Sequence, residues 1–181
     1  MKKYAVLATL MLLAIGLGSF QYWAVSDQDS VTASIGDVDG RVNITALSPG
    51  DIVSDNIILW RPFKVDSGKE LYNITLPGTY NGEYTVTLHL ANAGNLAKQL
   101  RYLIMKVSLY NGSNGTYIKS KWLSLTNGRV QFEINQNEVA GGNNATIKID
   151  GGSGKVLWPK VGFSVAQPQF VIDVEERASI P

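Results

Sequence analysis

Cysteine is absent from this chain, and histidine occurs once, at His89. Those two gaps remove disulfide staples, thiolate nucleophiles, redox pairs and zinc–thiolate centres from consideration. A paired-histidine metal motif needs two imidazoles and falls with them. His89 stands between Leu88 and Leu90 on the polar parity of an alternating stretch, where an exposed strand histidine is the ordinary outcome. No G-x-S-x-G elbow accompanies it, so a serine triad has no anchor. The neighbouring carboxylates Glu175 and Glu176 lie near the end of the chain, where a solvated tail is the default. Charge of one sign is lacking as well, since 16 basic side chains meet 15 acidic ones without a basic run. Nucleic acid is therefore not an expected partner. The stretch "DVDG" at Asp37–Gly40 matches the opening of a calcium loop, but the distal bidentate glutamate is missing. The expectation is a protein without catalytic residues, metal or cofactor.

Long apolar runs are confined to one place. Lys2 and Lys3 precede an apolar stretch from Tyr4 to Phe20, followed by "QYWAVSDQD". A short positive region before such a stretch is the pattern of a secretory signal, assigned here to residues 1–24. Small residues place cleavage near Gly18 or after Ala24, so the mature chain is expected to begin between Ser19 and Val25. Without Lys2 and Lys3 the balance becomes 14 basic to 15 acidic side chains. The remainder is long enough for one domain whose core needs no disulfides.

Alternation of period two dominates after residue 30. It predicts strands at Val31–Ile35, Arg41–Leu47, Ile52–Trp60, Leu71–Leu76, Glu83–Leu90, Tyr102–Tyr110, Thr116–Leu125, Arg129–Ile134, Ala145–Ile149, Val156–Ala166 and Gln169–Val174. In "EYTVTLHL", Tyr84, Val86, Leu88 and Leu90 form one apolar face against a wet one. Turn chemistry separates the runs at Ser48–Asp51, Pro77-Gly78, Asn81-Gly82, Asn111-Gly112, Asn127-Gly128 and Gly151-Gly152. Only Asn95–Leu100 reads as helix. Many short strands with few helical signals predict one all-β antiparallel domain, a sandwich or jelly roll, over residues 37–181.

Five N-x-[ST] sequons occur, at Asn43, Asn73, Asn111, Asn114 and Asn144, against about two expected by chance from the composition. Glycans there would solubilise the surface and shield strand edges. Asn111 and Asn114 share the loop "NGSNGT", and a hairpin tip makes them the first expected acceptors.

The stretch "YWAVSDQDSVTASIGDVDGRVNITALSPGDIVSDNI" resembles the start of the TasA/camelysin family of biofilm fibre proteins. The shared features are an aromatic-Ala step at Trp23-Ala24, a polar segment Val25–Ser30, a first strand Val31–Ile35, and Leu47 before Pro49-Gly50-Asp51. Downstream, "LHLANAGNLAKQLRYLIMKVSLYNG" and "KVGFSVAQPQF" are similar to the family's middle and terminal core strands. Sequon density suits the archaeal bundling pilins of this group. The segment Trp60–Thr79 has no counterpart in that pattern.

The resemblance implies a jelly-roll subunit that polymerises by donor-strand complementation. Residues 25–36 would be the donor segment, with Val31, Thr32, Ala33, Ser34 and Ile35 entering a neighbour. The residues suit that role. Val31, Ala33 and Ile35 share one parity, Thr32 and Ser34 the other, giving main-chain hydrogen bonds and alternate side chains for pockets. The implied product is an extracellular, cell-surface filament of identical subunits that meets a membrane only during export, with lateral bundling to other filaments left open. Three alternatives stay open. The strand could pack on its own domain. The apolar segment could be retained as in a type IV-like pilin, although Lys3 followed by Tyr4 departs from that processing pattern. The chain could also be a monomeric secreted sandwich binding carbohydrate or calcium. That module would need aromatic platforms, for which Trp60, Trp122 and Trp158 are candidates, yet their apolar neighbours read as core or interface.

Overall fold

The computed structural model describes residues 20–22, 42–53, 61–77, 83–157 and 165–177. Within them run strands β1 (Phe20–Tyr22), β2 (Asn43–Ala46), β3 (Phe63–Thr75) and β4 (Glu83–Leu90). Helix α1 (Ala93–Gln99) follows, then β5 (Leu100–Asn111), β6 (Tyr117–Ser124) and β7 (Arg129–Asn135). A 3-10 turn at Gln136–Val139, β8 (Asn144–Val156) and β9 (Phe170–Arg177) complete the order.

Two antiparallel sheets result. One has the order β1-β9-β4-β7 and the other β2-β3-β8-β5-β6. Alternation drives their pairing: Val86, Leu88, Phe132, Ile134, Ile172 and Val174 from the first sheet meet Ile74, Leu103, Met105, Val107, Leu109 and Ile147 from the second in one buried cluster. Burying each such side chain contributes about 1.5–3 kcal/mol, which is the main force holding the layers together. This is the expected all-β sandwich.

Edges decide where a partner can add. On one side β6 and β7 adjoin. Lys119 reaches across there to the Glu133 carbonyl (2.6 Å) and the Glu138 carboxylate (2.8 Å), and Lys121 lies over the Phe132 ring. The opposite side therefore holds β2 and the β1–β9 pair, and Tyr72 of β3 donates there to the Phe170 carbonyl of β9 across the layers (2.8 Å).

Several elements differ from the alternation pattern. β3 starts at Phe63, through the charged stretch "KVDSGKE", because a bulge at Ser67–Lys69 with Gly68 at φ 75° carries the strand past its polar middle. Gly151-Gly152, expected as a turn, lies inside β8. These glycines sit at irregularities where β8 runs between β3 and β5, and a β-carbon at Gly152 would collide with the Ile104 carbonyl oxygen. Their role is close approach of strands, not chain reversal. Val156 ends β8, and residues 165–169 are not strand. Of the predicted strand at Ile52–Trp60, only an isolated bridge of Val53 to Val65 falls within the described residues. The predicted strand Val31–Ile35 lies outside them, as do residues 25–41 as a whole and most of the 1–24 segment. The segment Trp60–Thr79, without a counterpart in the resemblance, supplies β3.

Candidate assembly edge and sequon ladder

β9 is placed by a set of amide side chains. Asn92, just before α1, donates to the Gln167 carbonyl (2.8 Å) and accepts from the Gln169 N–H (3.0 Å). Gln99, the last residue of α1, accepts from the Ala166 N–H (2.9 Å). Gln167 then clamps the segment Ile52-Val53: its Oε1 accepts from both backbone N–H groups, and its Nε2 donates to the Val53 carbonyl, each at 2.9 Å. Ile52 and Val53 are buried, so these bonds satisfy main-chain groups that water does not freely reach. Sequence reasoning missed Asn92 and Gln167. The available signal was a pair of glutamines flanking Pro168 in an otherwise apolar stretch.

On its inner side β9 is fully paired with β4, from Phe170 opposite Leu90 to Arg177 opposite Glu83. Its outer side is different. Among the described residues it is covered by β1 at Ile172, Asp173 and Val174, opposite Tyr22, Gln21 and Phe20. β1 itself falls in the segment assigned to the secretory signal. Phe170, Ile172 and Val174 are buried in the core, so this edge borders apolar side chains.

The outer face of the same sheet carries His89 and Asp173. His89 is half-buried, on the polar parity expected. Burial raises the Asp173 carboxyl above the usual carboxylate range, Glu175 adds to the shift, and His89 opposes it. Asp173 Oδ1 is buried without a hydrogen-bond partner among the described residues. No group of three His, Asp or Glu side chains arranged to hold a metal occurs among them, and no described helix is long and apolar enough to cross a membrane.

The sequons fall into a ladder. Asn43 lies opposite Thr75, which lies opposite Asn144; Thr45 lies opposite Asn73, which lies opposite Thr146. Between these rows, Ile44, Ile74 and Ala145 point into the core. Three sequons of β2, β3 and β8 thus present their Asn and Thr side chains on one outer surface. Thr146 donates to Asn73 Oδ1 at 2.8 Å. Asn43 and Asn114 are exposed, Asn73 and Asn144 partly so. Asn111 departs from the expectation of an open hairpin tip. It is 4% exposed, its amide donates to the Glu138 and Ala140 carbonyls, and its oxygen accepts from the Ser113 and Asn114 N–H groups. In the folded chain the asparagine open at that tip is Asn114.

Trp122, read from its neighbours as core or interface, is not core: it is exposed on β6. It occupies the outer parity of an edge strand, next to Leu123, which takes the core position. Trp60, Trp158 and the donor residues Val31, Thr32, Ala33, Ser34 and Ile35 lie outside the described residues. In comparison with known proteins, no family model matches this chain and no curated protein is significantly similar to it.

Proposed function

We propose that this chain is the structural subunit of an extracellular filament, polymerising head to tail by donating residues Val31–Ile35 to a neighbour. One observation carries the reading: among the described residues the outer edge of β9 is covered at Ile172–Val174 alone, by the strand Phe20–Tyr22, which cleavage after Ala24 would remove on export. Cleavage after Ala24 would strip β1 from Ile172–Val174 and leave N–H and C=O groups there that border core side chains, a hazard that an added strand cures. Val31–Ile35 spans roughly 17 Å when extended, and β9 roughly 27 Å, so the donor fits within the acceptor. The donor completes a jelly roll in the neighbour. Because donor and acceptor lie on different parts of the subunit, the contact does not close on itself and propagates as a fibre. Exposed sequons at Asn43 and Asn114 suit a surface that meets the outside of the cell. The protein has no catalytic role and needs no cofactor.

Replacing Val31 and Ile35 together with Asp tests this. Each buried apolar side chain contributes about 1.5–3 kcal/mol, and a carboxylate in its place is desolvated without a partner. The expected outcome is a folded, soluble subunit that forms no filaments by electron microscopy. Replacing Thr32 and Ser34, on the other parity, should matter less. Normal filaments from the Val31/Ile35 variant would place the contact elsewhere, and an unfolded variant would assign the strand to its own core.

A further inference from the structure

Three large apolar side chains left exposed among the described residues share one surface: Tyr102 at 37%, Tyr117 at 50% and Trp122 at 55%. All lie on the outer face of the five-stranded sheet, along β5 and β6. Lysines interleave with them. Lys106 is the cross-strand neighbour of Trp122, and Lys155 that of Tyr102. Lys106 Nζ lies 5.9 Å from the Tyr117 ring centroid, and Lys148 Nζ 5.1 Å from that of Tyr110, which packs edge-on against Tyr117. The acids nearby are engaged: Glu70 pairs with Lys148, and Asp150 accepts from the Tyr110 hydroxyl at 2.6 Å. That bond helps push the Tyr110 hydroxyl up to about 12. No carboxylate lies within ion-pair distance of Lys106 or Lys155 among the described residues. Between the two lysine–tyrosine pairs sits Ser108, with no exposed surface and its Oγ lacking a hydrogen-bond partner.

We propose that this face binds an acidic polysaccharide, a chain of sugars bearing carboxylates. The C–H face of a pyranose lies flat on an exposed aromatic ring, and the uncompensated lysines supply the charge that a uronic acid answers. The strand register spaces Tyr102, the level of Trp122 and the level of Tyr117 about 13 Å apart, a row long enough for several sugars. A lateral contact with a second copy fits less well, because centres of protein interfaces are depleted of lysine, whereas Lys106 stands between the rings. Single-stranded nucleic acid also stacks on aromatic rings, but a chain with nearly equal basic and acidic counts lacks the field to attract it. The sequon ladder occupies the β2–β3–β8 end of this sheet, and the exposed sequon Asn114 lies in the turn between β5 and β6, at the Tyr117 end of the row.

The test is affinity electrophoresis of the secreted chain through gels containing polygalacturonate or neutral dextran, with a single-stranded oligonucleotide as competitor. Polygalacturonate should retard the protein and dextran should not. Trp122→Ala should weaken binding about tenfold, with Trp122→Phe restoring part of it and the melting temperature unchanged. Tyr117→Ala is the second variant should the first alter folding. Lys106→Gln with Lys155→Gln should weaken binding and flatten its salt dependence. Absence of retardation, retardation unaltered in both aromatic variants, or displacement by the oligonucleotide at equal charge would overturn the proposal. So would aromatic variants that disperse bundled filaments while leaving polymer binding intact, since the face would then join copies of the chain. Binding is read without reference to polymerisation, so its failure leaves strand donation untouched.

Discussion

At the scale of single residues, glycine shows how close the strands run. Gly152 has φ 151°, and a β-carbon there would press into the backbone of Ile104 and Met105. Gly152→Ala should cost about 2–4 kcal/mol, through strain and displacement of β5 from β8. Gly94, in α1 with open space around it, is the contrast: its change to Ala should stabilise by about 0.5–1 kcal/mol. Urea denaturation reads both. Asp173 gives a prediction in pH. Its folded-state affinity for a proton is raised, so ionising it opposes folding. That opposition is absent below the ordinary carboxylate range and grows as pH rises through it, reaching its full value above the raised folded pKa. Asp173→Asn should therefore raise the melting temperature at neutral pH by roughly 2–4 °C, and this gain should vanish near about pH 3. Equal gains at both pH values would mean that the charge is not the cause.

At the scale of elements, the amide clamp is the feature most open to a direct test. Gln167→Leu keeps the volume but removes three hydrogen bonds to Ile52 and Val53. Orphaned, part-buried backbone groups should make this change cost about 2–4 kcal/mol in urea denaturation, and hydrogen exchange should rise first at Ile52 and Val53. Uniform exchange across the domain would assign Gln167 no local role. Strands such as β4 and β7 were legible because strict alternation places every second side chain in the core. β3 and β8 were legible only in part, since bulges break their parity and glycines there serve close packing, which sequence alone presents as turn chemistry. The clamp was not legible because polar side chains that bond to distant backbone leave no periodic trace. Neither was the 3-10 turn after β7, although Asn135 and Glu138 cap it reciprocally, a spacing that marks helix starts. Trp122 loses only the core half of its reading, because alternation carries it to the outer side of an edge strand.

At the scale of the whole molecule, the two sheets leave unequal sides. Lysines of β6 seal the side shared with β7, while among the described residues β9 keeps an outer edge covered along three residues. The proposed assembly mode would put a neighbour's strand where β1 lies against β9. The absence of cysteine allows the most direct measurement. Cysteines introduced at Thr32 or Ser34, combined in the same chain with one at Asp173 or Glu175, would lie on the outer parity of adjacent strands if the donor seats beside β9. Cross-strand neighbours approach within disulfide distance. After mild oxidation of assembled material, non-reducing gel electrophoresis of at least one of these four pairings should show a ladder of covalent oligomers that collapses on reduction. Single-cysteine variants should give no ladder. Filaments that form normally yet yield no oligomer from any pairing, or a cross-linked species that stays at monomer mass, would contradict strand donation to β9 of a neighbour.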